Sequence, residues 1–378
     1  MGEYGKKSLL KIPEQIVFGT NTVEDLGDYA QGYGKNAVLI FGGASLVKSG
    51  SHGRILDILN KKNIQVVEIS GITHDPDERT IKTAVDRVKQ IKPDVIIGAG
   101  GGSVLDAAKA ASIIAPNGGE VKDYWAGKSF TKASIPYIAM PTTSGTGTEV
   151  TKNAVITNQD KNLKKSIRSE LMIPNIALVD PSLTFGAPTD ITASTGLDAL
   201  IQNLEAYTSK NSGPISDTFA RKGIELAGKY LLKAVKDPGD HEAREGLALS
   251  SLYGGISLLS AGLGLAHGLS HPIGIRFGIP HGKACAIVMP KVMEYNYPAC
   301  VEKYSDAGML LSGIKDGVKA FNKLLEELDI STKLEDYGIT KDDIPAIVAN
   351  SRGGSRNYNP VGHSDPTVVK MLEELLKY

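Results

Sequence analysis

The stretch Asp94-Val95-Ile96-Ile97-Gly98-Ala99-Gly100-Gly101-Gly102-Ser103 decides the fold of the N-terminal half of the chain. Its start, 94–97, is apolar after the aspartate and does not alternate, which predicts a strand covered on both faces. The glycine run predicts a tight turn, and apolar residues through 104–115 predict a helix directly after it. Strand, glycine turn and helix in this order are typical of one unit of a parallel sheet.

The same alternation of strands and helices extends to both sides of this stretch. Further helices are predicted at 53–62 and 80–90, and together with the strands they indicate an α/β domain with a doubly wound, Rossmann-like parallel sheet. Ligands of such sheets bind outside the carboxyl ends of the strands, so the loops 42–45, 98–103 and 141–148 are the candidate binding segments. The further strands are predicted at 12–18, 36–41, 64–69, 135–140 and 176–179.

The glycine turn is the strongest candidate for binding a phosphate. Gly101 and Gly102 allow close approach of the backbone, and the following helix offers free N–H groups and the positive end of its dipole. Ser103 suits the N-cap of that helix, and Asp106 can bond back to the turn or reach a ligand. The turn is neither a P-loop nor a usual G-x-G-x-x-G, and a strand–helix turn without a ligand is the alternative.

A second candidate is the loop 142–148, which holds four threonines, one serine and two glycines. Its hydroxyl and amide donors suit a cofactor or a substrate, and a plain polar loop is the alternative. Asn153 and Lys164 follow in the same region. Lys164 belongs to a small group of lysines of the kind that usually forms a solvated face.

The chain changes character after Pro188, where strand-like runs end. Apolar residues then recur at helical spacing, which predicts an all-helical C-terminal domain. We therefore expect an α/β domain at 1–187 and an all-helical domain at 188–378. The helical segments are expected at 191–209, 215–236, 241–262, 284–295, 301–307, 315–329, 340–349 and 365–377.

Composition and charge exclude several functional classes. The chain has 378 residues, enough for two domains, and its 42 basic residues equal its 42 acidic residues. It therefore has no net positive charge to attract nucleic acid or an anionic membrane. No run approaches the ~20 apolar residues that span a bilayer. Cys285 and Cys300 form no disulfide framework, which fits a reducing compartment such as the cytoplasm.

Three of the seven histidines lie close together in the helical half. His267 and His271 are four residues apart and face the same side if they share a helix, and His281 is expected to begin another helix. Asp198 and Gln202 have the same four-residue spacing. A carboxylate with imidazoles is a ligand set that iron and zinc take, although a single histidine is more often a hydrogen-bonded core residue.

Six stretches together form the pattern of one family. They are Gly-Gly-Gly-Ser-Val-Leu-Asp at 100–106, Pro-Thr-Thr-Ser-Gly-Thr-Gly-Thr-Glu-Val at 141–150, Thr-Gly-Leu-Asp-Ala-Leu at 195–200, Glu-Ala-Tyr at 205–207, His-Gly-Leu-Ser-His-Pro at 267–272 and Pro-His-Gly at 280–282. The chain resembles the iron-containing (group III) alcohol dehydrogenases, over almost its whole length and in the same order. The resemblance implies a dehydroquinate synthase-like fold and a nicotinamide-dependent oxidoreductase that acts on a small alcohol or aldehyde, as a homodimer or larger homo-oligomer.

The resemblance also assigns the cofactor segments. It makes 1–187 the dinucleotide-binding domain and 188–378 the metal-binding and catalytic domain. In the family the pyrophosphate lies on the glycine-rich turn, and the threonine loop lines the cofactor. The implied cofactor-binding residues are Gly42, Gly43, Ser45, Gly101, Gly102, Ser103, Asp106, Thr142, Thr143, Thr146, Asn153 and Lys164.

The family holds a divalent metal with one aspartate and three histidines. Asp198, His267 and His281 fall on three of these positions, and His271 falls on a nearby histidine that is proposed to help proton movement. The fourth position departs from the family, because Gln202 stands where a histidine is usual. Three alternatives follow: Gln202 binds through its oxygen, the other three residues hold the metal alone, or the metal is often absent. We favour the second, with Fe2+ or Zn2+ as the metal.

A second departure concerns the choice of nicotinamide cofactor. Members that prefer NAD tend to carry an aspartate after the first long strand, where this chain has Gly43. Without that carboxylate a 2′-phosphate is not repelled, and Ser45 and Lys48 are the candidates to bind it. We therefore expect NADP(H) to be preferred over NAD(H). The alternatives to a metal-dependent dehydrogenase are a metal-free reductase of the maleylacetate reductase kind and a cofactor-binding protein without catalysis.

Overall fold

The structure is a computed structural model that describes residues 9–160 and 163–376. The chain divides into two compact units, which we call the α/β unit and the helical unit. The α/β unit comprises Lys11–Thr143 and Thr148–Ala187, and the helical unit includes Ser144–Gly147 and the chain from Pro188 on. The middle of the threonine loop therefore belongs to the helical unit. The sequence-based boundary between 187 and 188 placed the whole loop in the α/β domain.

A six-stranded parallel sheet organises the α/β unit, and its strand order is β1-β8-β5-β4-β2-β3. The two other strands, β6 and β7, pair as an antiparallel hairpin. The described strands are β1 Gln15–Phe18, β2 Asn36–Phe41, β3 Gln65–Ile69, β4 Val95–Gly100, β5 Tyr137–Pro141, β6 Asn153–Asn158, β7 Leu163–Arg168 and β8 Ile176–Val179. The helices of this unit are α1 Leu26–Gln31, α2 Ala44–Lys48, α3 Ser51–Lys61, α4 Glu78–Ile91, α5 Gly102–Asn117 and α6 Val121–Trp125.

Strand β2 shows why the sheet is buried on both faces. Val38 and Ile40 belong to one apolar core, and Leu39 and Phe41 belong to another. Alternate side chains of a strand point to opposite faces, so both faces of the sheet carry a hydrophobic core. The absence of alternation in the sequence indicated this arrangement, and the prediction of a doubly wound parallel sheet is confirmed.

The sheet brings the candidate loops to one edge. Strands β2, β4 and β5 are neighbours, with Phe41 opposite Ala99 and Gly100 opposite Pro141. All three strands run in the same direction, so the segments that follow them begin side by side. Gly101 is the one residue between the end of β4 at Gly100 and the start of α5 at Gly102. The turn is therefore much shorter than the predicted loop 98–103.

The helical unit packs eight α-helices around one apolar core within the described part of the chain. Helices α7, α8 and α9 contact one another, α11 packs against α7 and α8, and together these four helices contribute most of this core. The expectation of an all-helical second half is confirmed. The helices are α7 Thr189–Thr208, α8 Pro214–Lys236, α9 His241–Ala261, α10 Leu265–Phe277, α11 His281–Ser312, α12 Gly317–Glu327, α13 Ile344–Asn350 and α14 Asp365–Glu374.

One element agrees with the sequence-based expectation in an unexpected form, and one was missed. The segments 284–295 and 301–307 lie on the two sides of a kink in α11 at Cys300, where φ is −132° and ψ is 24°, so α11 consists of two helices joined at this residue. Pro298 lies two residues before this kink and removes a backbone donor. The β6–β7 hairpin was not predicted at all, because its second strand is rich in lysine and reads as a solvated segment.

None of the described helices is by itself long and apolar enough to cross a membrane. The pair α9 and α10 reaches the required length and composition only together, across a bend of 113°.

Candidate active site

Three helices of the helical unit bring four potential metal ligands together. Asp198 lies in the middle of α7, His267 in the first turn of α10, and His281 and Cys285 in the first two turns of α11. One ligand atom from each of the four lies within 4.8 Å of all the others. This is the one such group of acidic, histidine and cysteine side chains among the described residues.

The imidazoles of this cluster approach the same oxygen of the aspartate. His267 Nε2 lies 3.3 Å from Asp198 Oδ1, and His281 Nε2 lies 3.7 Å from it. The side chains of Asp198 and His267 are only 4% and 3% exposed. Water is therefore largely excluded from these two potential metal ligands.

A second carboxylate fixes the ring of His267 from the other side. Glu205, seven residues after Asp198 on α7, accepts a hydrogen bond at 2.6 Å from His267 Nδ1. The same carboxylate accepts the backbone N–H groups of Gly264 and Ala266 at 2.9 and 2.7 Å. A carboxylate can only accept, so Nδ1 carries a proton towards Glu205, and Nε2 is the ring nitrogen that faces Asp198 and that a metal would take in place of a proton.

The electrostatics of the cluster favour a cation. Burial acts to raise the pKa of Asp198, but the His281 and His267 rings more than offset this and leave it below its usual value. Burial acts to lower the pKa of His267, whereas Cys285, Asp198 and Glu205 raise it well above its usual value. Buried acidic groups thus hold protons on the imidazoles, and a divalent cation would replace those protons.

The distances fit a metal ion. Tetrahedral bonds of about 2.0–2.1 Å to nitrogen and oxygen separate two ligand atoms by roughly 3.3–3.4 Å. The separations of 3.3 and 3.7 Å between the histidine nitrogens and Asp198 Oδ1 lie at and slightly above this value. Asp198, His267 and His281 can therefore hold a divalent metal after a small movement of His281.

Gln202, at the position where the family has a histidine, is engaged elsewhere. Its Nε2 donates to the carbonyl oxygen of Gly145 at 3.1 Å, within the helical unit. Its Oε1 is buried and has no hydrogen-bond partner among the described residues. The amide is therefore oriented by Gly145 and offers one neutral oxygen.

His271 lies one turn beyond His267 on α10. Its ring stacks on that of His281 with a centroid separation of 5.1 Å and an interplanar angle of 26°. Its Nδ1 atom is buried. The structure thus places His271 beside the cluster, in contact with one of its rings.

Sequence reasoning missed two members of this site. Glu205 belongs to the family stretch 205–207, but the sequence analysis assigned it no function. The signal was its seven-residue spacing from Asp198, which puts both side chains on one face of a helix. Cys285 was considered only as an indicator of compartment. Its four-residue spacing from His281 was the signal that both side chains face the same way.

The glycine turn of the α/β unit is shaped by close packing. A Cβ at Gly98 would lie 2.7 Å from the hydroxyl of Tyr137, and one at Gly100 would lie 2.6 Å from Val104 Cβ. These two glycines belong to β4. Glycine is required at Gly98 by the close approach of β5 and at Gly100 by the close approach of α5. Gly101 and Gly102, half-buried at the start of α5, remain as the candidates for phosphate contact.

Ser103 and Lys164 meet at a residue that the sequence did not single out. Ser103 Oγ accepts the backbone N–H of Asp75 at 3.1 Å, and Lys164 Nζ lies 2.7 Å from Asp75 Oδ1. The predicted N-cap role of Ser103 is wrong, because α5 begins at Gly102 with Gly101 in the N-cap position. Asp75 therefore links two of the predicted cofactor residues.

Asp106 and Asn153 belong to a buried polar network. Asp106 accepts from Thr148 Oγ1 at 2.5 Å and from the backbone N–H of Val155 at 2.8 Å. Lys109 Nζ donates to the carbonyl oxygens of Thr148 and Asn153 at 2.7 and 3.0 Å. The Asp106 carboxylate thus joins α5 to the segment after the threonine loop, within the α/β unit.

The other predicted cofactor residues lie at accessible positions. Gly43 and Ser45, between β2 and the first turn of α2, are exposed, and a Cβ at Gly43 would meet no atom within 4 Å. Gly42 is half-buried beside them. Thr142 and Thr143 are half-buried in the α/β unit, and Thr146 is exposed in the helical unit.

Comparison with known proteins covers the chain almost end to end. The model of the iron-containing alcohol dehydrogenase family matches residues 13–181, and that of the C-terminal part of the Fe-containing alcohol dehydrogenase family matches residues 192–376. The chain is 32% identical over 350 residues to the NAD-dependent methanol dehydrogenase of Bacillus methanolicus, covering 90% of this chain and 92% of that protein. It is 33% identical over 343 residues to the NADPH-dependent butanol dehydrogenase of Clostridium saccharobutylicum, covering 87% and 86%.

The fold is shared with solved structures of the same kind. The crystal structure of 1,3-propanediol oxidoreductase superimposes with a TM-score of 0.93 at 30% identity, covering 98% of this chain and 100% of that one. The expectation of a dehydroquinate synthase-like fold is confirmed by this similarity.

Proposed function

The chain belongs to the iron-containing alcohol dehydrogenase family, and from this we propose that it is a metal-dependent dehydrogenase that transfers hydride between NADP(H) and a small alcohol or aldehyde. Alcohol dehydrogenase activity as such follows from the family. The convergence of Asp198, His267 and His281 in the helical unit carries the metal dependence. A divalent metal held by these residues would supply Lewis-acid polarisation of the substrate oxygen.

The residues of the chain orient and shield this centre. Asp198 contributes the negative charge that the cation requires, and its burial removes competing water. Glu205 holds His267 in the tautomer whose Nε2 is free to bind. His267 and Asp198 therefore act through the metal, and we propose His281 as the third ligand.

His271 is the proposed proton carrier. Oxidation of an alcohol releases a proton that has to leave the site, and an imidazole titrates near neutral pH. The stacking of His271 on His281 places it beside a proposed ligand. We assign the exchange to its Nε2, because Nδ1 is buried.

The α/β unit is the proposed binding site for the dinucleotide. The start of α5, at Gly101, Gly102 and Ser103, offers unpaired backbone N–H groups to the pyrophosphate. Exposed Gly43 and Ser45 at the end of β2 leave space for a 2′-phosphate without a repelling carboxylate. These residues support a preference for NADP(H), although relatives of both preferences exist.

Three further points belong to the same proposal. Asp106, Asn153 and Lys164 act as supports of the cofactor segment, since they are engaged in contacts within the α/β unit.

The reducing cytoplasm suits a chain whose two cysteines are free. A homodimer or larger homo-oligomer is proposed, and light scattering of the purified protein measures it.

Steady-state kinetics with paired cofactors test the proposal. Reduction of a panel of small aldehydes, and oxidation of the corresponding alcohols, is measured with NADPH and NADH or their oxidised forms at equal concentrations. We expect turnover of at least one pair, with a larger kcat/KM for the phosphorylated cofactor. Cofactor binding without turnover across the panel would contradict the enzyme assignment. A larger kcat/KM with NADH would contradict the NADP(H) preference alone.

A further inference from the structure

The thiol of Cys285 points into the metal cluster. Its side chain is completely buried, and its Sγ lies 3.9 Å from His281 Nε2. The same sulfur belongs to the group whose ligand atoms all lie within 4.8 Å of one another. A buried cysteine that only fills space has no reason to direct its sulfur at imidazole nitrogens rather than at apolar neighbours.

The other cysteine of the chain shows the contrast. Cys300, at the kink of α11, is also buried, but its Sγ lies 3.9 Å from the carbonyl oxygen of Thr208. A weak S–H donor beside a carbonyl is the ordinary arrangement of a structural thiol. Cys300 therefore serves as a matched reference for Cys285 within the same unit.

The geometry at Cys285 suits a shared metal ion. Zinc bonds of about 2.3 Å to sulfur and 2.0–2.1 Å to nitrogen separate the two ligand atoms by roughly 3.6 Å in a tetrahedron. The separation of 3.9 Å between Cys285 Sγ and His281 Nε2 exceeds this by a few tenths of an ångström. A rotation of either side chain closes the difference, since both extend from the start of one helix.

The charge of the site also favours a second anion. A dication with Asp198 as its one anionic ligand leaves one positive charge on the metal and its ligands, which the buried Glu205 carboxylate balances only across the His267 ring. A thiolate at position 285 makes the assembly of metal and ligands neutral. Gln202 cannot do this, because its amide is uncharged and is held by Gly145.

We propose that the thiolate of Cys285 is the fourth protein ligand of the metal bound by Asp198, His267 and His281, and that it makes the site selective for zinc over iron. The inference rests on the proposed function only in assuming that this cluster binds a metal. Binding of the ion releases the thiol proton to solvent. Thiolate is a soft ligand that zinc accepts readily, and four protein donors complete its tetrahedron, so any further ligand raises the coordination number to five.

Spectroscopy of the metal-loaded protein tests this without relying on activity. The full chain is freed of metal by a chelator under reducing conditions and reloaded with Co2+ for electronic spectra or Zn2+ for X-ray absorption. Wild type, Cys285→Ala, Cys300→Ala and Asp198→Ala are compared. We expect a thiolate-to-cobalt charge-transfer band and a zinc–sulfur distance near 2.3 Å in wild type and Cys300→Ala. Both signals should be lost in Cys285→Ala.

Each other outcome has a defined meaning. Metal that binds to wild type through Asp198 but shows no sulfur neighbour overturns the inference and leaves the proposed dehydrogenase intact. A wild-type chain that binds neither Co2+ nor Zn2+ overturns the inference together with the metal dependence. Absence of hydride transfer, with the sulfur signal present, overturns the proposed function alone. The wild-type X-ray absorption spectrum decides the point even if Cys285→Ala does not fold.

Discussion

The Nδ1 atom of His267 lies 2.6 Å from Oε2 of Glu205, so the ring that faces Asp198 is held from behind by a second carboxylate. Glu205 is buried and also accepts the backbone N–H groups that open α10. One side chain of α7 thus sets both the start of α10 and the tautomer of the histidine that α10 presents.

Replacing this carboxylate should weaken metal binding while leaving every proposed ligand in place. Glu205→Gln has one acceptor oxygen where the structure uses two, so we expect metal affinity to fall roughly 10- to 100-fold. Competition with a chromophoric chelator measures the affinity. Glu302→Gln, which makes the same exchange at an exposed position of α11, is the control and should bind as wild type. Equal affinity of Glu205→Gln and wild type would show that Glu205 only caps α10.

Gln202 tests whether the fourth position of the family is used. We expect Gln202→Ala to keep its metal affinity, because the amide is held by Gly145, while stability falls by about 1–3 kcal/mol through the unpaired carbonyl. Gln202→His introduces an imidazole and should raise the affinity for Fe2+ relative to Zn2+. Metal titrations and thermal unfolding of the two variants measure these changes. Loss of metal from Gln202→Ala would identify Oε1 as a ligand.

Gly43 tests the basis of cofactor choice. The position is exposed and a Cβ there meets no atom within 4 Å, so the side chain of Gly43→Asp has room, and thermal unfolding of the variant checks that it folds. A carboxylate repels a 2′-phosphate and accepts from a ribose hydroxyl, so kcat/KM should shift towards NAD(H) by roughly 10- to 100-fold. Gly53→Asp, at another exposed glycine with open space, is the control. An unchanged ratio of the two cofactors would place the 2′-phosphate elsewhere.

Glu149 makes the stability of the protein depend on pH. Burial raises the pKa of its carboxyl to about 7, although the nearby Lys109 acts to lower it. The native state therefore keeps a proton that the unfolded chain loses above about pH 4.5, and the stability that this proton contributes is lost as pH rises through 7. We expect Glu149→Gln to lack this loss, which is on the order of 3 kcal/mol. Chemical unfolding of both proteins between pH 4.5 and 8 measures it, and parallel curves would contradict it.

The fold was predictable where apolar runs are long. Strand 36–41 was predicted with its observed bounds, because a strand buried on two faces is apolar at almost every position. The hairpin of β6 and β7 was not, because Ala154, Ile156 and Ile167 are the buried side chains among those the structure describes there, and the lysines between them resemble a solvated face. The two helical segments 284–295 and 301–307 were predicted on either side of the kink at Cys300, which Pro298 precedes by two residues.

The candidate site was predictable only in part. Asp198, His267 and His281 carry spacing and a family pattern, and the structure brings them together. Glu205 and Cys285 share a helix face with Asp198 and His281 by their spacing, but this spacing alone does not distinguish them from core residues, since only the packing of α7, α10 and α11 shows what they face. Ser103 and Asp106 were implied as cofactor-binding residues, and in the structure their side chains accept hydrogen bonds within the α/β unit.

The measurement that most directly tests the account is the joint determination of metal content and NADPH-dependent aldehyde reduction. It is made on wild type, on wild type after exhaustive chelation, and on Asp198→Ala and His267→Ala, with Glu302→Gln as the folded control. We predict that wild type and the control contain stoichiometric metal and turn over. Chelation and either alanine substitution should remove metal and activity together, and added Zn2+ or Fe2+ should restore only the chelated wild type. Full activity after complete removal of metal would contradict the account and indicate a metal-free reductase on the same fold.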